Sequence, residues 1–327
     1  MKRPPATLIA SLLAFALLGA ACTSNDSNGT PPSTSASQQM QAFFASYEVL
    51  AGQPNRIEVG LMRADQRSLS YGTVEFRFSY LGTQQNPSTP QTGPTATAKF
   101  LLVPGMQASS QPKPTFTLPT VARGVYEAEN VTLDQPGFWN VDVVANLADG
   151  STQSASAKFD AAAKPSYPAP GQKALETQNL TMASKGVPAS AIDSRALTGG
   201  KGAIPDPELH QTTIADVIAH HEPAFVIFST PVYCISKFCG PVTDSIAQLA
   251  KQYSDKAVFI HVEIYKKYTQ QKKVINQAAA DWVYRNGDVT EPWLFEIGSD
   301  GRIVDRWQNL IDLQEVQQVL QKLPAMH

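Results

Sequence analysis

Cysteine is scarce in this chain. Among 327 residues only Cys22, Cys234 and Cys239 carry a thiol, so the two that lie close together stand out as candidates for chemistry. Histidine is nearly as rare, with five residues and none between Phe43 and Phe159. Imidazole metal ligands are therefore absent from that half, and Met62 and Met106, standing alone there, read as packing residues. Neither sign of charge dominates: the formal net charge is −2, and no basic cluster is interleaved with aromatics, so nucleic-acid binding has no support. The apolar segment from Leu8 to Leu18 is too short to cross a bilayer as a helix.

What is present begins with Lys2 and Arg3, that short apolar segment, and small residues up to Cys22, the pattern of a secretory signal over residues 1–21. Leu18-Gly-Ala-Ala-Cys22 resembles the bacterial lipobox, with Gly19 where leucine is commoner. The resemblance implies that Cys22 is lipidated and becomes the mature N-terminus. An extracytoplasmic location, held to a bacterial membrane by a lipid anchor, is the corresponding expectation. Residues 22–42 are mostly small and polar and read as a flexible tether. The remainder is long enough for two ordinary domains.

Residues 43–160 alternate with period two. Arg56 to Leu61, Thr73 to Tyr80 and Phe138 to Val144 each place apolar side chains on one face, and Gly/Pro-rich turns separate them. This predicts an all-β antiparallel sandwich. The stretch from Gly124 through Leu133 to Val143 resembles immunoglobulin-like domains of bacterial extracytoplasmic proteins, which implies a spacer or protein-docking role. Residues 161–204, rich in Ala, Pro, Ser, Gly and Lys, read as a linker, with Asp193 and Leu197 hinting at a short ordered piece.

From residue 205 to 327 helix and strand patterns alternate. Thr213-Ile-Ala-Asp216 is a capping box opening a short helix. Ala224 to Ser229 reads as a buried strand. Val242, Ile246, Leu249, Ala250 and Tyr253 then form one apolar helical stripe. Ala257 to Ile264 is a second buried strand, and a helix is predicted over about Val274 to Tyr284. A hairpin follows around Gly298 to Gly301, and Asp312 caps a last helix.

The first of these strands runs straight into Tyr233-Cys234-Ile-Ser-Lys-Phe238-Cys239-Gly240-Pro241. A strand that delivers thiols to a helix N-terminus brings them to unpaired N–H groups and a favourable dipole, which stabilise the reactive thiolate. This succession, with Pro292 just before the hairpin, resembles the thioredoxin-like fold. The resemblance implies an α/β C-terminal domain. It also implies a cis-proline at Pro292 facing the cysteines, and Cys234, Cys239 and Pro292 as the catalytic set. Tyr233, Phe238, Gly240, Pro241, Glu291 and Trp293 would contact the partner, with no cofactor and no metal.

The spacing departs from that family, since four residues rather than two separate the cysteines. Within one regular helix their α-carbons would lie about 8–9 Å apart, beyond the ~7 Å limit of a disulfide. Pro241 suits a first helical turn, so a loop over residues 234–238 would let the pair close. That geometry predicts the more acidic thiol at Cys239.

The function expected is membrane-anchored thiol–disulfide exchange with protein thiols or disulfides of the cell envelope. Three alternatives stand beside it: a non-catalytic binding module stapled by a structural disulfide, a thiol peroxidase suggested by Thr230-Pro231, and a copper site, which lacks a well-placed histidine. His210, His220 and His221 read as surface residues around the short helix, and His261 as a core residue.

Overall fold

The computed structural model describes residues 39–197, 202–269 and 271–326; the signal segment, Cys22 and nearly all of the tether lie outside the described residues. Nine strands build the first half: β1 (Met40–Phe44), β2 (Pro54–Arg63), β3 (Ser68–Ser70), β4 (Thr73–Gly82), β5 (Pro87–Leu102), β6 (Thr115–Thr117), β7 (Gly124–Thr132), β8 (Gly137–Asn146) and β9 (Thr152–Ala161). Every pairing among them is antiparallel. The order is β6-β3-β2-β7-β5-β4-β8-β9, with β1 on β2. The period-two pattern does what it predicts. Val74, Phe76 and Phe78 of β4 and Trp139, Val141 and Val143 of β8 turn into one core with Ile57, Val59 and Leu61. The long β5 pairs with β4 along its length and with β7 at its end, so what would be two sheets is one, compatible with the immunoglobulin-like expectation. At the β5–β7 crossing Gly124 is obligatory, because a Cβ there would sit 1.9 Å from the Leu101 carbonyl oxygen.

The second half contains α1 (Ile214–Ala219), β10 (Ala224–Ser229), α2 (Cys239–Gln252), β11 (Val258–Glu263), β12 (Tyr265–Tyr268), β13 (Lys273–Ile275), α3 (Gln277–Val283), β14 (Tyr284–Arg285), β15 (Asp288–Val289), β16 (Trp293–Ile297), β17 (Ile303–Gln308) and α4 (Leu313–Lys322). Its sheet has the order β11-β10-β16-β17. Only β10 and β11 run parallel; the other pairs are antiparallel. Residues alternate between its faces. Phe225, Ile227, Phe259, Leu294 and Trp307 pack toward α2 and α4. Val226, Phe228, Ile260, Val262 and Phe295 pack with Trp282 on the other side. The capping box at Thr213 and Asp216 forms as its residues predict. Asp312 caps α4 by accepting from the Gln314 amide at 2.9 Å.

The expected fold class is nonetheless overturned. A β-sandwich joined to a helix-rich α/β domain of thioredoxin-like fold is not what forms: about 40% of the described residues are strand and 17% helix, and the large antiparallel sheet dominates. In the C-terminal half the chain between β11 and β16 is spent on two small hairpins and a seven-residue helix. The helix expected over 274–284 begins only at Gln277. Lys273–Ile275 is drawn into pairing with Tyr265–Tyr268, and Asn276 caps the amide of Ala278.

Nor are the halves independent. The described residues belong to one compact unit. Leu101, Val103 and Val125 of the large sheet lie in the same core cluster as Phe225, Val242 and Leu310. Arg56 of β2 pairs with Asp305 at 2.8 Å and Glu315 at 2.5 Å. The segment from residue 161 has little regular structure but is not a free linker: Trp282 donates to Thr177 Oγ1 at 2.8 Å, and Asn179 Oδ1 accepts from the Ile214 amide at 2.8 Å.

Candidate functional site around Cys234 and Cys239

Cys234 and Cys239 form a disulfide with their α-carbons 6.0 Å apart. The helix-internal separation is avoided because Cys239 is the first residue of α2 while Cys234 lies in the loop before it. That loop leaves β10 at Ser229, and the Cys234 amide folds back to donate to the Thr230 carbonyl at 3.1 Å. Lys237, at φ 63°, turns the chain into the helix. Both sulfur-bearing residues are buried, Cys234 at 1% exposure and Cys239 at 0%, beneath Ile235 at 90%.

The donors fall on the other sulfur from the one the sequence suggests. The Cys239 amide donates to Cys234 Sγ at 3.4 Å, and Ser236 Oγ lies 3.2 Å from the same atom. A helix-terminal N–H directed at a sulfur favours its ionised form. In the closed disulfide the helix-terminal N–H is thus directed at the Cys234 sulfur, whereas the position of Pro241 had pointed to Cys239.

Glu291 brings a carboxyl to the pair. One of its oxygens and the two sulfurs all lie within 4.8 Å of one another. Burial, reinforced by the charge of Glu263 and opposed by the Thr230 backbone amide, pushes its pKa up to about 8. Its Oε2 has no hydrogen-bond partner. The bond between Glu291 and Pro292 is cis, and the Glu291 carbonyl accepts the Tyr47 hydroxyl in a short contact. The sequence leaves Glu291 either as a proton acceptor near the thiols or as an outward partner contact; that its carboxyl turns in to the sulfurs is visible only in three dimensions.

The other expected contacts divide. Tyr233, Gly240 and Pro241 are half-buried around the loop. Phe238, at 8% exposure, and Trp293, at 1%, are core residues instead, in the clusters of Val242 and Phe228 respectively; Pro292 is buried as well. Tyr233 stacks on Tyr268 with centroids 4.0 Å apart. Together with Tyr265 and Lys267 these rings line an open groove of about 640 Å³.

A second polar cluster lies under the same loop. His210 is not a surface residue but fully buried, as are His261 and Asp193. His220 and His221 are exposed as expected. Asp193 Oδ2 lies 3.4 Å from His210 Nε2 and 3.3 Å from His261 Nδ1. Burial pushes the His210 imidazole down. Burial alone would raise Asp193, but His210, His261 and Arg195 outweigh it and hold it far below the usual carboxylate range. The only sequence signal for this cluster is the period-two position of His261, which puts it on the α2 face of β11 with Phe259. His327 lies outside the described residues.

No family model matches the chain, and no curated protein matches it. Among solved structures, BslA, a bacterial hydrophobin, aligns with 39% of this chain and 95% of its own at 16% identity and a TM-score of 0.21. The cohesin module from a Clostridium perfringens family 33 glycoside hydrolase aligns with 38% and 97% at 12% identity and a TM-score of 0.18. Neither likeness bears on the site. Among the described residues no helix is long and apolar enough to cross a membrane.

Proposed function

We propose that the protein exchanges thiols and disulfides with protein partners in the bacterial cell envelope, anchored by lipid at Cys22. The observation that carries this reading is the Glu291 carboxyl, with a pKa raised to about 8, beside both sulfurs of the Cys234–Cys239 pair. A carboxyl poised there matches the ordinary thiol range of about 8.5 and suits proton transfer to and from sulfur. In the reduced protein the Cys234 thiolate attacks a partner disulfide. A mixed disulfide forms and one partner thiolate leaves. Glu291 takes the proton of Cys239, whose thiolate then attacks Cys234 Sγ, closing the internal disulfide and expelling the second partner thiolate. The tyrosine groove beside Cys234 gives the partner segment an aromatic surface, and the antiparallel sheet serves as spacer or docking module.

The burial of both sulfurs favours a second reading, a structural staple on a non-catalytic module. The reduction potential separates the two: a structural bond lies below roughly −300 mV and a working one well above it. We expect the higher value, and we expect Cys239→Ser to accumulate mixed disulfides because the resolving thiol is gone. A potential below that limit, with both thiols titrating near 8.5, would establish the staple. Cys22→Ala is expected to release the protein from the membrane fraction; membrane association and mature mass that do not change would refute the anchor.

A further inference from the structure

We propose that Asp193, His210 and His261 form a binding site for a divalent transition-metal ion of the zinc type, separate from the cysteine pair. Three observations converge on it. The first is spacing. Zinc bonds to imidazole nitrogen and carboxylate oxygen are about 2.0–2.2 Å, which puts tetrahedral ligand atoms roughly 3.3–3.5 Å apart. The two separations from Asp193 Oδ2 are 3.4 Å and 3.3 Å, and all three donor atoms lie within 4.8 Å of one another.

The second is orientation. Although both nitrogens approach that oxygen, neither His210 Nε2 nor His261 Nδ1 makes an aligned hydrogen bond. Buried ring nitrogens that make no geometric hydrogen bond are costly unless another ligand takes them. The far side of His261 is fixed: its Nε2 lies 3.2 Å from the Ser229 carbonyl, which can only accept. Nε2 therefore carries the proton and Nδ1 is left as a donor of electrons to metal, the outer-shell arrangement of metal-bound histidines. Asp193 is held in place by Arg195, whose Nη2 donates to Oδ2 at 2.7 Å and whose Nε donates to Oδ1 at 3.1 Å.

The third is charge. Arg195 and Lys251 are paired with Asp193, Asp206, Glu208 and Asp244. Four carboxylates here face two cations, and a divalent ion balances the remainder. Imidazole and carboxylate donors suit zinc, and also copper and nickel, better than calcium or magnesium. The ion would tie the segments on either side of residues 198–201 to β11. Ser194, next to Asp193, donates its amide to Glu263 at 2.8 Å and accepts the Val232 amide at 3.2 Å, so the site braces the loop that carries Cys234.

The test uses the full chain with its disulfide closed, so that the thiols cannot bind metal. Zn²⁺ is titrated against a chromophoric chelator, and Co²⁺ is added separately to read coordination from its visible spectrum. We expect one equivalent of each, with tetrahedral Co²⁺ bands and no sulfur-to-metal charge transfer. His210→Gln and His261→Gln should each weaken Zn²⁺ by more than about 100-fold, beyond the loss of an outer-shell partner, while His220→Gln should not. Absence of stoichiometric binding, or binding that survives both substitutions, overturns the site. Should either variant misfold, the melting midpoint of the unaltered protein in Zn²⁺ against EDTA decides: a rise supports the site and an unchanged midpoint refutes it.

Discussion

Glu291 carries the strongest argument at the scale of single residues, because its position gives a buried carboxyl a task. An isolated half-buried acid gains little, but one beside two sulfurs can hold the proton that exchange must move. Glu291→Gln keeps the shape and removes the titration. We expect it to slow thiol exchange at pH 7 by roughly 10²-fold, within the range of a lost general acid–base group, and to erase the limb of the pH–rate profile near pH 8. Stopped-flow oxidation of the reduced variant checks this. An unchanged rate and profile would remove Glu291 from the mechanism. Cys234 teaches a related lesson: the donors at a helix start serve whichever sulfur the loop brings over it, here the residue outside the helix.

Among the elements, β5 and β7 decide the architecture of the first half. Their crossing requires a residue without a Cβ at Gly124, since the Leu101 carbonyl occupies that space. Gly124→Ala must push backbone from backbone, a form of overpacking that costs roughly 1–3 kcal/mol. Because Val125 and Leu101 also face the core shared with α2 and α4, the damage should spread to both halves. Urea titration followed by tryptophan fluorescence reads the loss. A midpoint equal to that of the unaltered chain would show that the crossing relaxes freely. The helices depend more on local residues. Thr213 and Asp312 start α1 and α4 by capping, and each cap is worth about 1 kcal/mol.

At the scale of the whole molecule, buried acids set the response to pH. Burial raises Glu127 to about 8 against the opposing charges of Arg56 and Lys99. Burial and Asp305 raise Glu296 to about 7, and Glu291 stands at about 8. Glu58, opposite Glu127 in the β2–β7 ladder, is raised as well, by burial and by that neighbour. Carboxyls with raised folded-state pKa values stabilise the fold below their unfolded values, and that stability is lost as pH climbs through the folded ones. Asp193 acts in the opposite sense only at pH below the ordinary aspartate value, and the buried His210, lowered by burial, opposes the acids only up to about pH 6.5. We therefore expect the melting temperature to fall as pH rises from 5 to 9, by several degrees, in one transition seen alike by circular dichroism and fluorescence. A midpoint that rises over that interval would contradict the assignment, and Glu127→Gln should flatten the slope.

The amino-acid sequence by itself determined the elements whose residues speak locally. The alternating strands of the first half, the helix caps at Thr213 and Asp312, the apolar stripe of α2 and the approach of two cysteines to a helix start all follow from spacing and cap chemistry within a few residues. Tertiary structure decided the rest. Whether β5 closes one sheet or separates two depends on which strands it meets at its far end. Whether residues 161–197 are a linker or a packed strap depends on partners such as Trp282 and Ile214, distant in the chain. The carboxyl at the sulfurs and the histidines at Asp193 come from segments separated by up to 68 positions or by a whole hairpin. Local periodicity carries no record of such meetings, since burial of charge and imidazole is tolerated only once all the partners have arrived.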